Sequence, residues 1–425
     1  MVEPATPPPH VPARTPGAAM KRIVILCDGT WNRTDTVTPT NVVRFAQAMA
    51  GFDAQGIAQI PIYVEGVGTG EGLTWIGRTT DSFLGGAFGL GLMENLVTAY
   101  RALAFLYEPG DEVFILGFSR GAYTARSLAG FIRSSGIVPR TGLHLIPRAV
   151  ARYRTLGDRR LHPRTPESHR FRAVELGSRV ATSAAEQAWR AAEGLPAVPL
   201  FTLAYLGVWD TVGALGFPTF IPVLGHLARR KYRFHDASLS SMVRAARHAV
   251  ALDERRRAFE PTRWDNLDAL NAERRDPEGE GACREVFFAG DHGSVGGGGE
   301  IVDLSHIALD WIIEGAAAAG LGFLPDARAE IRAAQNPFGP LRNTRQAKTG
   351  VVAWLTGLKP KDRTGPDTLD EVHPSVLARW TGQGAPADFA GYRPPSLARV
   401  HTALAALETG LESGGDGGGP TTGHA

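Results

Sequence analysis

The segment that most restricts what this chain can fold into runs from Val113 to Arg126, Val-Phe-Ile-Leu-Gly117-Phe-Ser119-Arg-Gly121-Ala-Tyr-Thr-Ala-Arg. Its first residues form a short unbroken apolar run, as a strand covered on both faces requires. A helix-forming run, Ala122 to Arg133, follows at once. Between them stands Gly-x-Ser-x-Gly, a weak motif alone and a stronger one between a strand and a helix. A serine on so tight a turn has a strained backbone, and only tiny residues fit two positions away on either side. Gly117 and Gly121 meet that demand. The turn would lift the Ser119 hydroxyl off the sheet and set the Arg120 amide at the positive end of a helix. The competing reading is a plain strand-to-helix turn with a helix-capping serine.

The rest of the chain repeats the alternation. Arg22–Cys27, Gln59–Val64, Thr202–Trp209 and Glu285–Phe288 read as strands beside Glu112–Leu116. Pro61 suggests an early or edge position for the second of these. Asn41–Met49, Glu94–Tyr107 and Leu304–Ala318 read as helices, the middle one stopped by Pro109-Gly110. The expected fold class is α/β, a mostly parallel sheet of the α/β-hydrolase type with helices on both faces. Residues 140–198 are rich in Arg, Ala and Glu with no strand pattern, and read as a helical insertion or cap. Residues 330–408 are Pro- and Arg-rich and are expected to wrap the domain rather than build a second core. That places one domain over 20–408, between a disordered leader at 1–19 and a disordered tail at 409–425.

Composition excludes several classes. The 425 residues carry 45 Lys and Arg against 43 Asp and Glu, a formal charge of +2, so nothing calls for nucleic acid. The local runs Arg229-Arg230-Lys231 and Arg255-Arg256-Arg257 read as solvated faces. Two distant cysteines, Cys27 and Cys283, give no disulfide framework and no zinc site, and fit a reducing compartment. The leader lacks the apolar core of a secretion signal. The most apolar stretch, Trp311–Leu324, is interrupted by Glu314, so no spanning helix is expected. The expectation is a chain that is cytoplasmic as synthesised, with export by another route left open. No cofactor is expected. In Gly66-Val-Gly68-Thr-Gly70-Glu71-Gly72 the third glycine of a dinucleotide fingerprint falls on Glu71. Leu26 occupies the position where a phosphatase of the aspartyl-nucleophile type needs its aspartate ahead of Asp28-Gly29-Thr30.

A nucleophilic serine needs a base, and the base needs an orienting acid, in the chain order Ser, Asp or Glu, His. Asp210 directly follows an apolar run in Trp209-Asp-Thr-Val-Gly213. The alternative for it is an Asx-turn residue ending a strand. His292 follows Val286–Ala289 and opens a glycine-rich loop, Gly290-Asp-His-Gly-Ser-Val-Gly-Gly-Gly-Gly299. Among twelve histidines it combines a strand end, a pliant loop and the right order; its alternative is a structural histidine. After the first strand comes Cys27-Asp28-Gly29-Thr30-Trp31-Asn32. Two readings of that loop stay open. The Gly29 or Thr30 amide completes an oxyanion hole with that of Arg120, or Asp28 and Asn32 hold the loop in shape.

Taken in order, these segments, with His248-Ala-Val-Ala-Leu-Asp-Glu-Arg-Arg256, resemble an uncharacterised α/β-hydrolase domain family. That family includes the catalytic domain of Tle-type phospholipase effectors of type VI secretion. The resemblance covers roughly residues 21–325, with His373-Pro-Ser-Val and Tyr392-Arg-Pro-Pro also similar. It implies a Ser119–His292–Asp210 triad and hydrolysis of carboxylic esters, on small-molecule or lipid substrates, with membrane contact only at the periphery. One departure stands out. The family loop reads His-x-Asp-Val-Gly-Gly, and here Ser294 takes the place of the aspartate. That departure favours a second reading, a catalytically weak hydrolase fold serving as a binding or assembly protein. Nothing in the sequence specifies an oligomeric state.

Overall fold

A computed structural model describes residues 20–29, 36–66, 87–155, 159–212, 238–274, 282–343 and 360–414. The architecture follows from the apolar strand runs. β1 (Lys21–Cys27), β2 (Ala58–Val64), β3 (Glu112–Phe118), β4 (Leu203–Trp209), β5 (Val243–Ala251) and β6 (Cys283–Phe288) form one sheet in the order β2-β1-β3-β4-β5-β6. Every neighbouring pair is parallel. β2 with its Pro61 is the edge strand, where a missing ladder donor is tolerated.

Alternate residues of the inner strands enter two cores. Val24, Leu26, Phe114, Leu116 and Trp209 face one, with Val42 and Phe45 of α1 (Asn41–Ala48). Ile23, Ile25, Val113 and Ile115 face the other, with Leu96 and Tyr100 of α2 (Ala87–Leu106) and Leu128 and Phe131 of α3 (Arg120–Ser135). Burial on both sides is why these strands read as continuous apolar runs. Each such side chain contributes about 1.5–3 kcal/mol by leaving water. The chain first steps outward from β1 to β2, then returns across β1 to β3. That reversal of strand order makes the carboxyl edge between β1 and β3 the usual ligand position in such sheets.

β5 departs from the sequence reading, which has no strand between Trp209 and Glu285. Arg244 and Arg247 break its apolar pattern. Both arginines escape the sheet. Arg244 reaches Glu112 at 3.2 Å and the Ala319 carbonyl at 3.0 Å, and the Arg247 guanidinium lies 4.8 Å from the Trp311 ring centroid. Long side chains that bury their stems and free their heads hide a strand from a hydropathy pattern.

The segment after α3, read as a helical insertion or cap, is helical and packs against α3. It contains α4 (Ile146–Arg154), α5 (Pro166–Arg170) and α6 (Ala184–Ala192). Ile146, Ala149, Tyr153 and Phe171 join the core beneath α2 and α3. The Tyr153 hydroxyl donates to the Ser127 carbonyl at 3.1 Å, and fully buried Arg172 donates to the Arg133 carbonyl and pairs with Glu186 at 2.7 Å. These contacts tie the segment to the middle and far end of α3, away from Ser119. The apolar run Phe217–Leu227, a candidate for the same cap, lies outside the described residues.

After α7 (Leu267–Arg274) and β6 come α8 (His292–Gly296), α9 (Asp303–Ala318) and α10 (Pro325–Ala333). Beyond residue 360 the chain runs beside β6, where Val372 bridges Phe287 and the His373 amide donates to the Phe287 carbonyl at 3.1 Å. It continues into α11 (Pro374–Thr381) and α12 (His401–Gly414), which extends past the start of the expected tail. Val376, Trp380, Leu397 and Leu404 join the same core as Phe287 and Trp311. No helix among the described residues is long and apolar enough to cross a membrane.

Packing is tight where α3 leaves the sheet. A Cβ on Gly121 would stand 2.2 Å from the Cys27 carbonyl oxygen and 2.5 Å from that of Asp28. Backbone cannot yield as a side chain does, so Gly121→Ala is expected to cost about 3 kcal/mol or more. Urea unfolding checks this, and a variant as stable as wild type would contradict the packing.

Candidate active site

Ser119 caps α3 with φ 58° and ψ −120°, the strained turn anticipated from its glycines. A Cβ on Gly117 would meet the Gly121 carbonyl oxygen at 2.4 Å, so the turn closes only with both residues bare. The strain is held from outside, since the Ser119 amide donates to the Trp209 carbonyl at 3.0 Å. Such conformations persist only where their surroundings over-determine them. The Arg120 amide is the first of α3, where no intrahelical acceptor exists. Burial lowers the Arg120 guanidinium to about 10.

Asp210 follows β4 with φ 37°, the second described non-glycine residue at positive φ. Its amide donates to the Ala249 carbonyl at 2.7 Å. Its carboxylate has no exposure and four donors around it. Oδ1 accepts from the Ala251 amide at 2.9 Å and from Arg363 Nη1 at 2.6 Å. Oδ2 accepts from Arg363 Nη2 at 2.9 Å and pairs with His292 Nδ1 at 2.5 Å. Burial alone would raise the acid; the Arg363 charge and the His292 hydrogen bond outweigh it and hold the carboxyl well below the usual carboxylate range.

His292 begins α8, and its Nε2 lies 2.8 Å from Ser119 Oγ. Asp210, an acceptor when ionised, takes the Nδ1 proton, which leaves Nε2 as acceptor for the Ser119 hydroxyl. The imidazole lies between Phe118, 4.6 Å away, and Phe259, 4.8 Å away, which limit its rotation. Gly296 makes room for Phe118, since a Cβ there would sit 1.9 Å from that ring. The start of the loop is pinned by the acids of the 248–256 segment. Asp253 accepts from the Gly290 amide at 2.6 Å and from Tyr392 Oη at 2.8 Å, and Glu254 accepts from the His292 amide at 3.3 Å. Asn343 closes the other side by donating to the Gly293 and Gly297 carbonyls.

Ser294, the departure from the family loop, does not face the imidazole. Its hydroxyl donates to Asp291 at 3.0 Å and to the Leu341 carbonyl at 2.9 Å. Asp291 caps α8 through the Ser294 amide at 2.9 Å. An aspartate at 294 would meet two acceptors here, so serine suits this loop.

In the loop after β1, Asp28 is a tether. Its Oδ2 accepts from Thr40 Oγ1 at 2.6 Å and from Tyr63 Oη at 2.7 Å. The Gly29 amide donates to its Oδ1 at 2.6 Å, which commits one of the two amides considered for the oxyanion. Thr30 and Asn32 lie outside the described residues.

Two elements escaped the sequence reading. Arg363 stands in Lys361-Asp-Arg363-Thr-Gly365, a stretch without hydropathy period or motif, so no local signal marks it. His248, in β5, accepts from the Thr211 amide at Nε2 (3.1 Å) and pairs through Nδ1 with Glu285 at 2.7 Å. Glu285 in turn binds Arg263 at 2.5 Å. This second histidine–carboxylate pair braces the turn that carries Asp210. Its residues were visible only as an ordered motif without a role. Among the described residues no group of three or more His, Cys, Asp or Glu is placed to hold a metal.

A parallel sheet with a strained serine between strand and helix, and a histidine–aspartate pair on later loops, defines the α/β-hydrolase class. The chain belongs to the family described as the type VI secretion phospholipase effector Tle1-like catalytic domain, whose model matches residues 21–315. It is 24% identical over 246 residues to an uncharacterised protein of Saccharomyces cerevisiae, covering 56% of this chain and 32% of that one. Among solved structures it is similar to an uncharacterised protein from Pseudomonas aeruginosa (TM-score 0.38, 17% identity, 92% of this chain and 60% of that one). A Tle1 effector bound to the VgrG spike of the type 6 secretion system is similar at TM-score 0.35 and 16% identity, over 68% of this chain and 53% of that one. The chain thus spans less than two thirds of the length of each of these relatives.

The buried histidines set a pH dependence. Burial pushes His306 and His373 down to about 4, and lowers His248 against the pull of Glu285. His373 caps α11 by accepting the Ser375 amide at Nδ1, which needs the neutral ring. Folded values below unfolded ones mean that the unfolded chain takes up more protons between about 6.5 and 4. Stability is therefore present above pH 6.5 and lost as pH falls through that window. The urea midpoint is expected to fall from pH 7 to 4, and His373→Asn, which still caps, should flatten part of the fall. An unaltered slope in that variant would remove His373 from the account.

Proposed function

We propose that the protein is a serine hydrolase that cleaves carboxylic esters of lipid-like substrates, with Ser119 as nucleophile. The observation that supports this most is the unbroken hydrogen-bonded series Asp210–His292–Ser119 at the carboxyl edge of the sheet. Ser119 Oγ attacks the ester carbonyl while His292 Nε2 takes its proton, then returns it to the departing alcohol. Asp210 remains ionised and fixes the imidazole tautomer. Water, activated by the same imidazole, releases the acid from the acyl-enzyme. The Arg120 amide, the first of α3, stabilises the developing oxyanion. Such a donor is worth roughly 3 kcal/mol. Gly117 and Gly121 act through the turn, and Asp28 through the loop it ties to Thr40 and Tyr63.

Membership of a phospholipase effector family supports a lipid substrate. Ser294, engaged away from a ring whose two nitrogens both have partners, favours the hydrolase over a catalytically weak binding protein. Fluorophosphonate labelling tests the proposal. Wild type is expected to label, Ser119→Ala and His292→Ala to stay blank, and Asp210→Asn to lose about 10⁴-fold in kcat. Folded wild type that fails to label would return the binding-protein reading. A series of acyl esters and phospholipids then tests the substrate class, and activity confined to short soluble esters would exclude a lipid site.

A further inference from the structure

We infer that Arg363 is a positioning residue for the reaction, gripping both oxygens of Asp210 so that one of them points at His292 and offsetting their charge with its own. This rests on the reading of Ser119, His292 and Asp210 as the reacting set. Nη1 meets Oδ1 at 2.6 Å and Nη2 meets Oδ2 at 2.9 Å, a two-point fork that only a guanidinium supplies. The fork is itself anchored, since the same nitrogens donate to the Ala251 carbonyl at 2.7 Å and the Phe259 carbonyl at 2.5 Å. The Arg363 and Asp210 side chains are 2% and 0% exposed, so water does not screen the pair. Oδ2, the oxygen that accepts the hydrogen bond from His292 Nδ1, is the one Nη2 holds. Arg363 lies beyond residues 21–315, the part of the chain that carries the family pattern.

The offset charge has a direction. An unopposed buried carboxylate beside an imidazole favours its protonated form, and a fixed cation on that carboxylate weakens the effect. Other charges face the pair. Glu254 accepts the His292 amide and is matched by Arg256 at 2.6 Å. Asp291 caps α8, Asp253 holds Gly290, and Arg120 begins α3. On the Asp210 side His248 faces Glu285, which Arg263 neutralises. Those acids have partners of their own, which leaves Arg363 as the cation bound directly to Asp210.

The test follows kcat, and kcat/KM against pH, on p-nitrophenyl butyrate. It also titrates the His292 imidazole by NMR in histidine-labelled protein, assigned against His292→Gln. Arg363→Met is expected to move the acid limb and the His292 midpoint upward by about one to two pH units, with kcat down about 10- to 100-fold. Arg363→Lys keeps the charge without the fork, so it should hold the midpoint near wild type while kcat stays low. A folded Arg363→Met with wild-type midpoint and acid limb overturns the inference. Should that variant fail to fold, Arg363→Lys decides, because wild-type kcat there would exclude two-point positioning. Full activity in Ser119→Ala would instead refute the hydrolase reading, and the NMR midpoint would still test Arg363.

Discussion

One buried carboxylate organises the carboxyl edge of the sheet. Asp210 has no exposure, so its charge survives only because four donors from three parts of the chain converge on it. Without them, desolvation would raise its pKa and favour the neutral acid. Each donor is positioned by that same demand. The Ala251 amide brings the end of β5 alongside β4. His292 brings the loop after β6 over α3. Arg363 brings a late stretch of chain back across β5. The positive φ of Asp210 is the local cost of turning its carboxylate inward, and the Ala249 carbonyl holds the turn.

Around this centre the loop contacts are mutually braced. The strained Ser119 leans on the Trp209 carbonyl, one residue before Asp210, so Ser119 and Asp210 share a peptide neighbourhood. The imidazole is fixed at both nitrogens and by rings on either side. Asp253 and Glu254, adjacent in sequence, tie down the two residues that flank Asp291. A glycine-rich loop is thereby made rigid without side chains of its own. Preorganisation of this kind lets a site act without reorganising as charge develops.

How much of this was legible follows from how local each signal is. The β3–Ser119–α3 unit was readable because its steric demand falls on Gly117 and Gly121, two residues from the serine. Asp210 and His292 were found by chain order and by following apolar runs. β5 was lost because Arg244 and Arg247 bury their stems while presenting charge to the pattern. The helical segment was recognised as helical, yet its contacts were not. Its packing depends on Tyr153 and Arg172 reaching α3, and sequence spacing does not reveal such partners. Arg363 had no signal at all, for its meaning comes wholly from Asp210, which its own neighbours in sequence do not indicate.

That last contact also says when the site can exist. Ser119 meets His292 across 173 residues, and Asp210 meets Arg363 across 153. Contacts so distant in sequence close late, because the loop entropy must be lost before the contact gives anything back. A chain growing from its amino end therefore builds β1, β3 and the serine turn long before it holds His292, and holds His292 before the cation that balances Asp210. The assembled centre exists only once the chain has been made through Arg363. For a protein whose proposed substrate is the material of membranes, synthesis itself is a delay line between making the nucleophile and arming it.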